Sequence, residues 1–295
     1  MAYLVFVTVV WAFSFSLIGV YLAGQVDSYF AVLVRIGLAT LVFAPMLRPG
    51  RLPGRLVLAL MGVGAVQLGA MYVFFYQSFL LLSVPEVLLF TIFTPLYISL
   101  LDDALKGRVN PGALAGAALA VAGAAVIRYQ GVSSDIWAGF LVVQGANLCF
   151  AAGQITYRRI AGEVEAAVPQ LQAFGWFYVG ALCVGVPAFL IFGDASSLPT
   201  TPVQWGVLLW LGLVASGLGY FLWNKGAALT DAGSLAVMNN ALIPAGLLVN
   251  VLIWNRDADL GRLALGGALM GLALWVNHLL RPRGATAAAV PAAGE

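Results

Sequence analysis

Residues 72 to 97, YVFFYQSFLLLSVPEVLLFTIFTPLY, set aromatic rings, an amide, one carboxylate and two prolines into an otherwise hydrocarbon chain. At helical spacing Tyr72, Tyr76 and Phe79 share one face, and beyond the break at Ser83 to Pro85 so do Glu86, Phe90, Thr94 and Tyr97. Two helices joined by so short a connection form a hairpin whose inward faces can line an aromatic, weakly polar cavity. The chemistry available there is non-covalent: stacking and cation–π attraction from the rings, hydrogen bonding from hydroxyls and amides.

Further candidates lie elsewhere in the chain. Gln144, Asn147, Ala151, Gln154 and Arg158 make a polar stripe on one helix face. Such a stripe cannot face lipid, so it meets another helix or water in a cavity. Trp11, Ser14, Ile18 and Tyr21 align on a face of the first apolar segment. Tyr220 and Trp223 lie one turn apart with Asn224 beside them, and Asn239 and Asn240 precede Pro244. Amides can bond both the ammonium and the carboxylate of a zwitterion without a fixed charge. Only Arg35 and Glu86 are ionisable groups well inside apolar segments, where charge is expensive. Arg35 either binds a substrate carboxylate or bonds carbonyls and amides between helices. Glu86 either meets substrate or serves as a solvated helix-start carboxylate.

The elements that position these residues follow from composition. The chain of 295 residues is 62% hydrophobic and 9% charged, with a mean hydropathy of +0.98. No soluble domain has that composition. Apolar stretches of about 20 residues cross a hydrocarbon core, and ten such stretches can be counted: 3 to 23, 28 to 47, 55 to 81, 85 to 101, 110 to 129, 135 to 157, 168 to 192, 203 to 224, 233 to 254 and 260 to 280. They are too long and unbroken for barrel strands, so an all-α membrane fold is expected. With both termini in the cytoplasm, the inner connections and tail carry ten Lys and Arg against three outside (Arg128, Arg256, Arg262), and this bias sets the orientation. The first stretch lacks a basic start and a cleavage site and is expected to be a retained helix. Trp137, Trp205 and Trp254 read as interfacial belt residues, His278 as an interfacial residue, and RPRGATAAAVPAAGE (residues 284 to 295 above all) as a disordered cytoplasmic tail.

The two halves resemble each other. YQSFLLLSVPEVLLFTIFTPLYISLL lies over WNKGAALTDAGSLAVMNNALIPAGLLVNVL, matching Tyr76 to Trp223, Ser83 to Thr230 and Pro95 to Pro244. Five spans per half, 1 to 130 and 131 to 283, oblige the second half to enter from the opposite side, the inverted repeat of secondary transporters. Pro95 and Pro244 each free a carbonyl mid-span, so kinks that bend during gating are expected there. Spans 1, 3, 4, 6, 8 and 9 should line the cavity, with the Gly/Ala-rich fifth and tenth outside.

The sequence excludes several function classes. It has no HExxH, P-loop or GxSxG, and its single histidine and two cysteines, Cys149 and Cys183, give no metal or disulfide framework. Neither an enzyme nor a cofactor is expected, and the net charge of +2 does not point to nucleic acid. Proton coupling is disfavoured by the shortage of buried Asp, Glu and His.

WAFSFSLIGVYL followed by LVRIGLATLVFAPML, with Trp11, Phe15 and Arg35, resembles the opening helices of EamA-type members of the drug/metabolite transporter superfamily. Pro95 and Pro244 match that family's proline-bearing fourth and ninth helices, whereas Asp102, Asp103 and Asn255 stand where its pattern differs. Within the family, the aromatic hairpin looks most like the YddG-type exporters of aromatic amino acids. The resemblance implies facilitative or exchange-type export of aromatic and other hydrophobic amino acids, and of flat aromatic cations, across a bacterial inner membrane; a monomer or weak homodimer is expected. The rival readings are a carrier of polar metabolites such as nucleotide sugars, a membrane scaffold and an intramembrane enzyme.

Overall fold

The computed structural model describes residues 1–107, 135–230 and 232–254, together with 261, 268 and 272. The expected fifth and tenth spans, the boundary between halves and the tail lie mostly or wholly outside these residues. The described chain forms eight helices: α1 Ala2–Tyr21, α2 Ser28–Met46, α3 Gly54–Leu81, α4 Val84–Leu105, α5 Asp135–Ala167, α6 Gln170–Phe192, α7 Pro202–Ala228 and α8 Ala232–Trp254. They correspond to the first four and the sixth to ninth apolar stretches. Seven, α1 to α7, are long and apolar enough to cross a membrane, and α8 holds a shorter apolar stretch, Met238–Trp254. The described residues contain no strand.

Sequence sets the helix starts. Asp27 accepts from the amide of Phe30 at 2.7 Å and caps α2. Glu86 accepts from both the amide and the hydroxyl of Ser83, at 2.8 and 2.7 Å, to open α4. Thr201 and Gln204 do the same for α7. At its far end α5 runs ten residues past the expected boundary, to Ala167, where Glu163 pairs with Arg55 at 2.8 Å on the surface.

Three helices are irregular inside the bundle. α3 carries a wide, π-type turn at Ala65–Ala70, and α7 carries one at Leu211–Leu218. α4 tightens into a 3₁₀ turn at Thr91–Phe93, immediately before Pro95. Because Pro95 has no N–H, the Thr91 carbonyl loses its helical partner and accepts from the Thr94 hydroxyl at 2.9 Å. The expected interruption therefore falls one turn ahead of the proline, while α8 runs unbroken through Pro244.

In the packing, α1 lies against α7 and α8, α2 against α6 and α7, and α5 against α3 and α4. α3 and α6 cross closely through glycine. A Cβ on Gly64 would stand 1.7 Å from the Phe177 carbonyl oxygen, and one on Gly180 would stand 1.9 Å from that of Met61. With no hydrophobic drive between helices in lipid, contact this close is what holds them together.

Candidate functional site

The irregular turn of α4 and the part of α7 that follows its wide turn face one cavity. Its wall draws on α1, α2, α3, α4, α5, α7 and α8. Trp11 is its centre. Its ring lies 4.9 Å from Trp223, 5.0 Å from Tyr220 and 6.1 Å from Phe150, all four rings lining the cavity. The wide turn of α7 holds this box in place. In a wide turn the backbone bonds span five residues rather than four, and here Trp11 Nε1 also donates to Ala215 O at 2.9 Å, while the Tyr178 hydroxyl contacts the carbonyls of Ser216 and Gly217. Glycine at 219 leaves room for this approach, since a Cβ there would stand 2.9 Å from Trp11 Nε1.

Ser216, on the same turn, belongs to a polar knot on the wall. Arg35, 2% exposed, donates from Nε to Ser216 Oγ at 3.0 Å, from Nη1 to the Tyr76 hydroxyl at 3.1 Å and from Nη2 to the Tyr72 hydroxyl at 2.6 Å. The hydroxyls of Tyr72 and Ser216 are 2.8 Å apart, and the guanidinium carbon lies 4.2 Å from the Tyr72 ring centroid. Elsewhere on the wall, Asn147 secures the interrupted turn of α4. The amide of Thr94 bonds Thr91 rather than Phe90, and the Phe90 carbonyl instead accepts from Asn147 Nδ2 at 2.8 Å. Asn147 also donates to Gln144 Oε1 at 3.1 Å and accepts from the Thr94 hydroxyl at 3.2 Å.

The residues expected from sequence divide into two groups. Trp11, Ser14, Tyr72, Asn147, Tyr220, Trp223 and Asn239 come together on the wall. Tyr76 stands behind it through Arg35, Gln144 and Phe90 through Asn147, and Gln154 through its Oε1, 3.4 Å from Trp223 Nε1. Asn224 donates to the Tyr220 carbonyl one turn from the wall. Phe79 packs on Phe75, and Asn240 and the half-buried Tyr97 also lie outside the lining. Of its two readings Glu86 takes the second, a helix-start carboxylate bonded to Ser83.

Arg35 lies between helices and on the wall, bonded to side-chain hydroxyls rather than to the carbonyls or amides expected of a structural arginine, and it adds the second span to the expected six. Sequence reasoning missed Phe150 and Ser216. Phe150 was available as the residue three beyond Asn147 on the same face, whereas nothing in LGLVASGL distinguishes Ser216 before the wide turn is seen.

A multi-pass helical bundle around a mixed aromatic and polar cavity has the architecture of a membrane transporter of small molecules, and the family agrees. Residues 1–129 match the EamA-like transporter family, and the chain belongs to that family. It is 58% identical over 281 residues to the "Probable biotin transporter" of Pseudomonas aeruginosa, covering 95% of this chain and 98% of that one. It is 49% identical over 279 residues to the "Biotin transporter" of Escherichia coli K12, covering 94% and 93%. The Salmonella typhimurium "Biotin transporter" is 48% identical over 290 residues, covering 98% and 96%. A solved crystal structure, 20% identical, superposes with a TM-score of 0.64 over 95% of this chain and 98% of its own, a likeness of fold. The relatives' names do not support the expected preference for aromatic amino acids.

Proposed function

We propose that the chain carries biotin, or a small organic acid closely like it, across a bacterial inner membrane by alternating access. The observation that carries this reading is the lining itself, in a chain 58% identical to a relative named for biotin. An aromatic box suits a flat apolar body, and amides and hydroxyls beside it suit a compact polar group. A nucleotide sugar would call for several buried cations to meet its phosphates, and among the described residues Arg35 alone is a buried cation.

The proposal includes the arrangement read from sequence: two inverted five-span halves, 1 to 130 and 131 to 283, with both termini cytoplasmic. Wide turns in the third and eighth spans and prolines in the fourth and ninth support it. Rocking of the halves about Pro95 and Pro244 then alternates access.

The test is flux of labelled biotin in proteoliposomes containing this protein alone, with unlabelled biotin, tryptophan or phenylalanine as competitors and with or without a pH gradient. Saturable flux displaced by biotin and not by the amino acids is expected. Flux displaced by tryptophan in preference to biotin would restore the aromatic amino-acid reading, and absence of flux would overturn transport by the isolated chain.

A further inference from the structure

We propose that Arg35 anchors the substrate through a carboxylate, so that the free acid is carried and its ester or amide is not. This rests on the biotin reading and adds which end of the molecule the protein grips. Arg35 is a cation inside the bundle, yet among the described residues no carboxylate lies within ion-pairing distance of it. The ion pairs present, Arg55–Glu163, Lys106–Asp102 and Arg159–Asp102, involve other cations and sit at helix ends.

The partners Arg35 does have are neutral hydroxyls. They solvate the cation without neutralising it, and the Tyr72 and Tyr76 rings, 4.2 and 5.6 Å from the guanidinium carbon, do the same. An unneutralised charge held away from water is costly, and such groups in membrane proteins face a pathway or a partner.

Geometry favours a partner that comes and goes. A guanidinium has five N–H donors. Three are engaged in the described contacts, which leaves two, and Arg35 lies on the cavity wall rather than behind it. Every partner is a side-chain hydroxyl, two from α3 and one from the wide turn of α7, so none brings a compensating charge. Two remaining donors on a planar fork match the two oxygens of a carboxylate. With the acid held there, the aromatic box is placed for an apolar body, and Asn147 and Thr94, on a different part of the wall, for a second polar group.

The experiment compares unlabelled biotin, biotin methyl ester and biotin amide as competitors of labelled biotin counterflow in proteoliposomes, for the natural protein and for Arg35→Gln and Arg35→Lys. The ester and amide should compete at least about thirty-fold less well than the acid, the factor expected when one partner of a buried charge pair is removed. Arg35→Gln should erase that preference by weakening the acid alone, and Arg35→Lys should keep part of it. Equal competition by acid, ester and amide in the natural protein would overturn the anchor and leave the biotin reading standing, whether or not either variant folds. An Arg35→Gln protein that loses acid and amide in equal measure would also overturn it, by showing a structural role. If biotin is not carried at all, the biotin reading fails and the anchor fails with it.

Discussion

Asn147→Leu should destabilise the bundle measurably, because one side chain there holds the interrupted turn of α4 to α5. The change keeps the approximate volume and removes three contacts: 2.8 Å to the Phe90 carbonyl, 3.1 Å to Gln144 and 3.2 Å from Thr94. Side-chain hydrogen bonds in membrane proteins are worth about 0.6 kcal/mol each, so the three come to about 2 kcal/mol. The Phe90 carbonyl would keep only the long 3.4 Å contact to Gln144 Nε2, and a poorly satisfied buried carbonyl raises the total toward about 4 kcal/mol. At about 2 to 4 °C per kcal/mol, the melting midpoint in detergent should fall by on the order of 5 to 15 °C at a fixed scan rate. Thr94→Val removes the hydroxyl shared between the Thr91 carbonyl and Asn147 but leaves the Thr94 amide on Thr91, so it should cost less. Asn147→Asp keeps the shape but turns an acceptor toward the Phe90 carbonyl, so it should be at least as harmful as leucine. An Asn147→Leu protein melting within about 2 °C of the natural one would refute the idea that this residue secures the turn, given the magnitudes above.

The other predictions concern packing, unsatisfied amides and the aromatic box. Gly64→Ala should lower yield and melting temperature, since its Cβ would meet the Phe177 carbonyl at 1.7 Å, whereas Gly62→Ala, with nothing within 4 Å, should be silent; equal stability of the two variants would contradict the close crossing of α3 and α6. Gln67 is fully buried in the wide turn of α3 with neither amide atom partnered, so Gln67→Met should raise the melting temperature by removing an unsatisfied group; a lowered one would show that the amide has a role in the folded state. Trp223→Ala, within the box, and Tyr76→Ala, behind the wall through Arg35, should each cut flux without preventing membrane insertion, and unaltered flux in Trp223→Ala would rule out the aromatic box as the substrate's seat.

Much of the scaffold was legible in the sequence because the bilayer enforces it. Runs of apolar residues have to be helices when no water is present to bond the backbone, and capping residues such as Asp27, Glu86 and Thr201 mark where they begin. The stripe on α5 also read correctly as turned away from lipid: Gln144 is 9% exposed and Gln154 is 0%. Periodicity does not say which neighbour a face meets. Only Asn147 of that stripe reaches the cavity, because Gln144 is drawn to the Phe90 carbonyl and Gln154 lies against Trp223. The knot around Arg35 was out of reach for a related reason, since its partners come from 37, 41 and 181 residues away. Substrate preference suffers most. Trp11, Tyr72, Tyr220 and Trp223 offer the same rings to any flat apolar body, so aromatic content alone reads equally well as a site for tryptophan or for a bicyclic acid.

The irregular backbone and the cavity coincide for a physical reason. A helix that loses a regular hydrogen bond within the hydrocarbon region must recover it from a side chain, and this is tolerated only in the protein's interior or beside a cavity. In this chain side chains that bond the irregular turns are themselves cavity residues: Asn147 on the Phe90 carbonyl of α4, and Trp11 on the Ala215 carbonyl of α7. The side chains that bond the irregular turns of α4 and α7 therefore also present rings and amides to the site. Sites of this kind cannot be moved to straighter parts of the helices, where the carbonyls are already bonded and the polar side chains would have no partners. Pro95 in α4 and the small residues of GLVASGLG in α7 lie at the two irregular turns whose neighbours line the cavity.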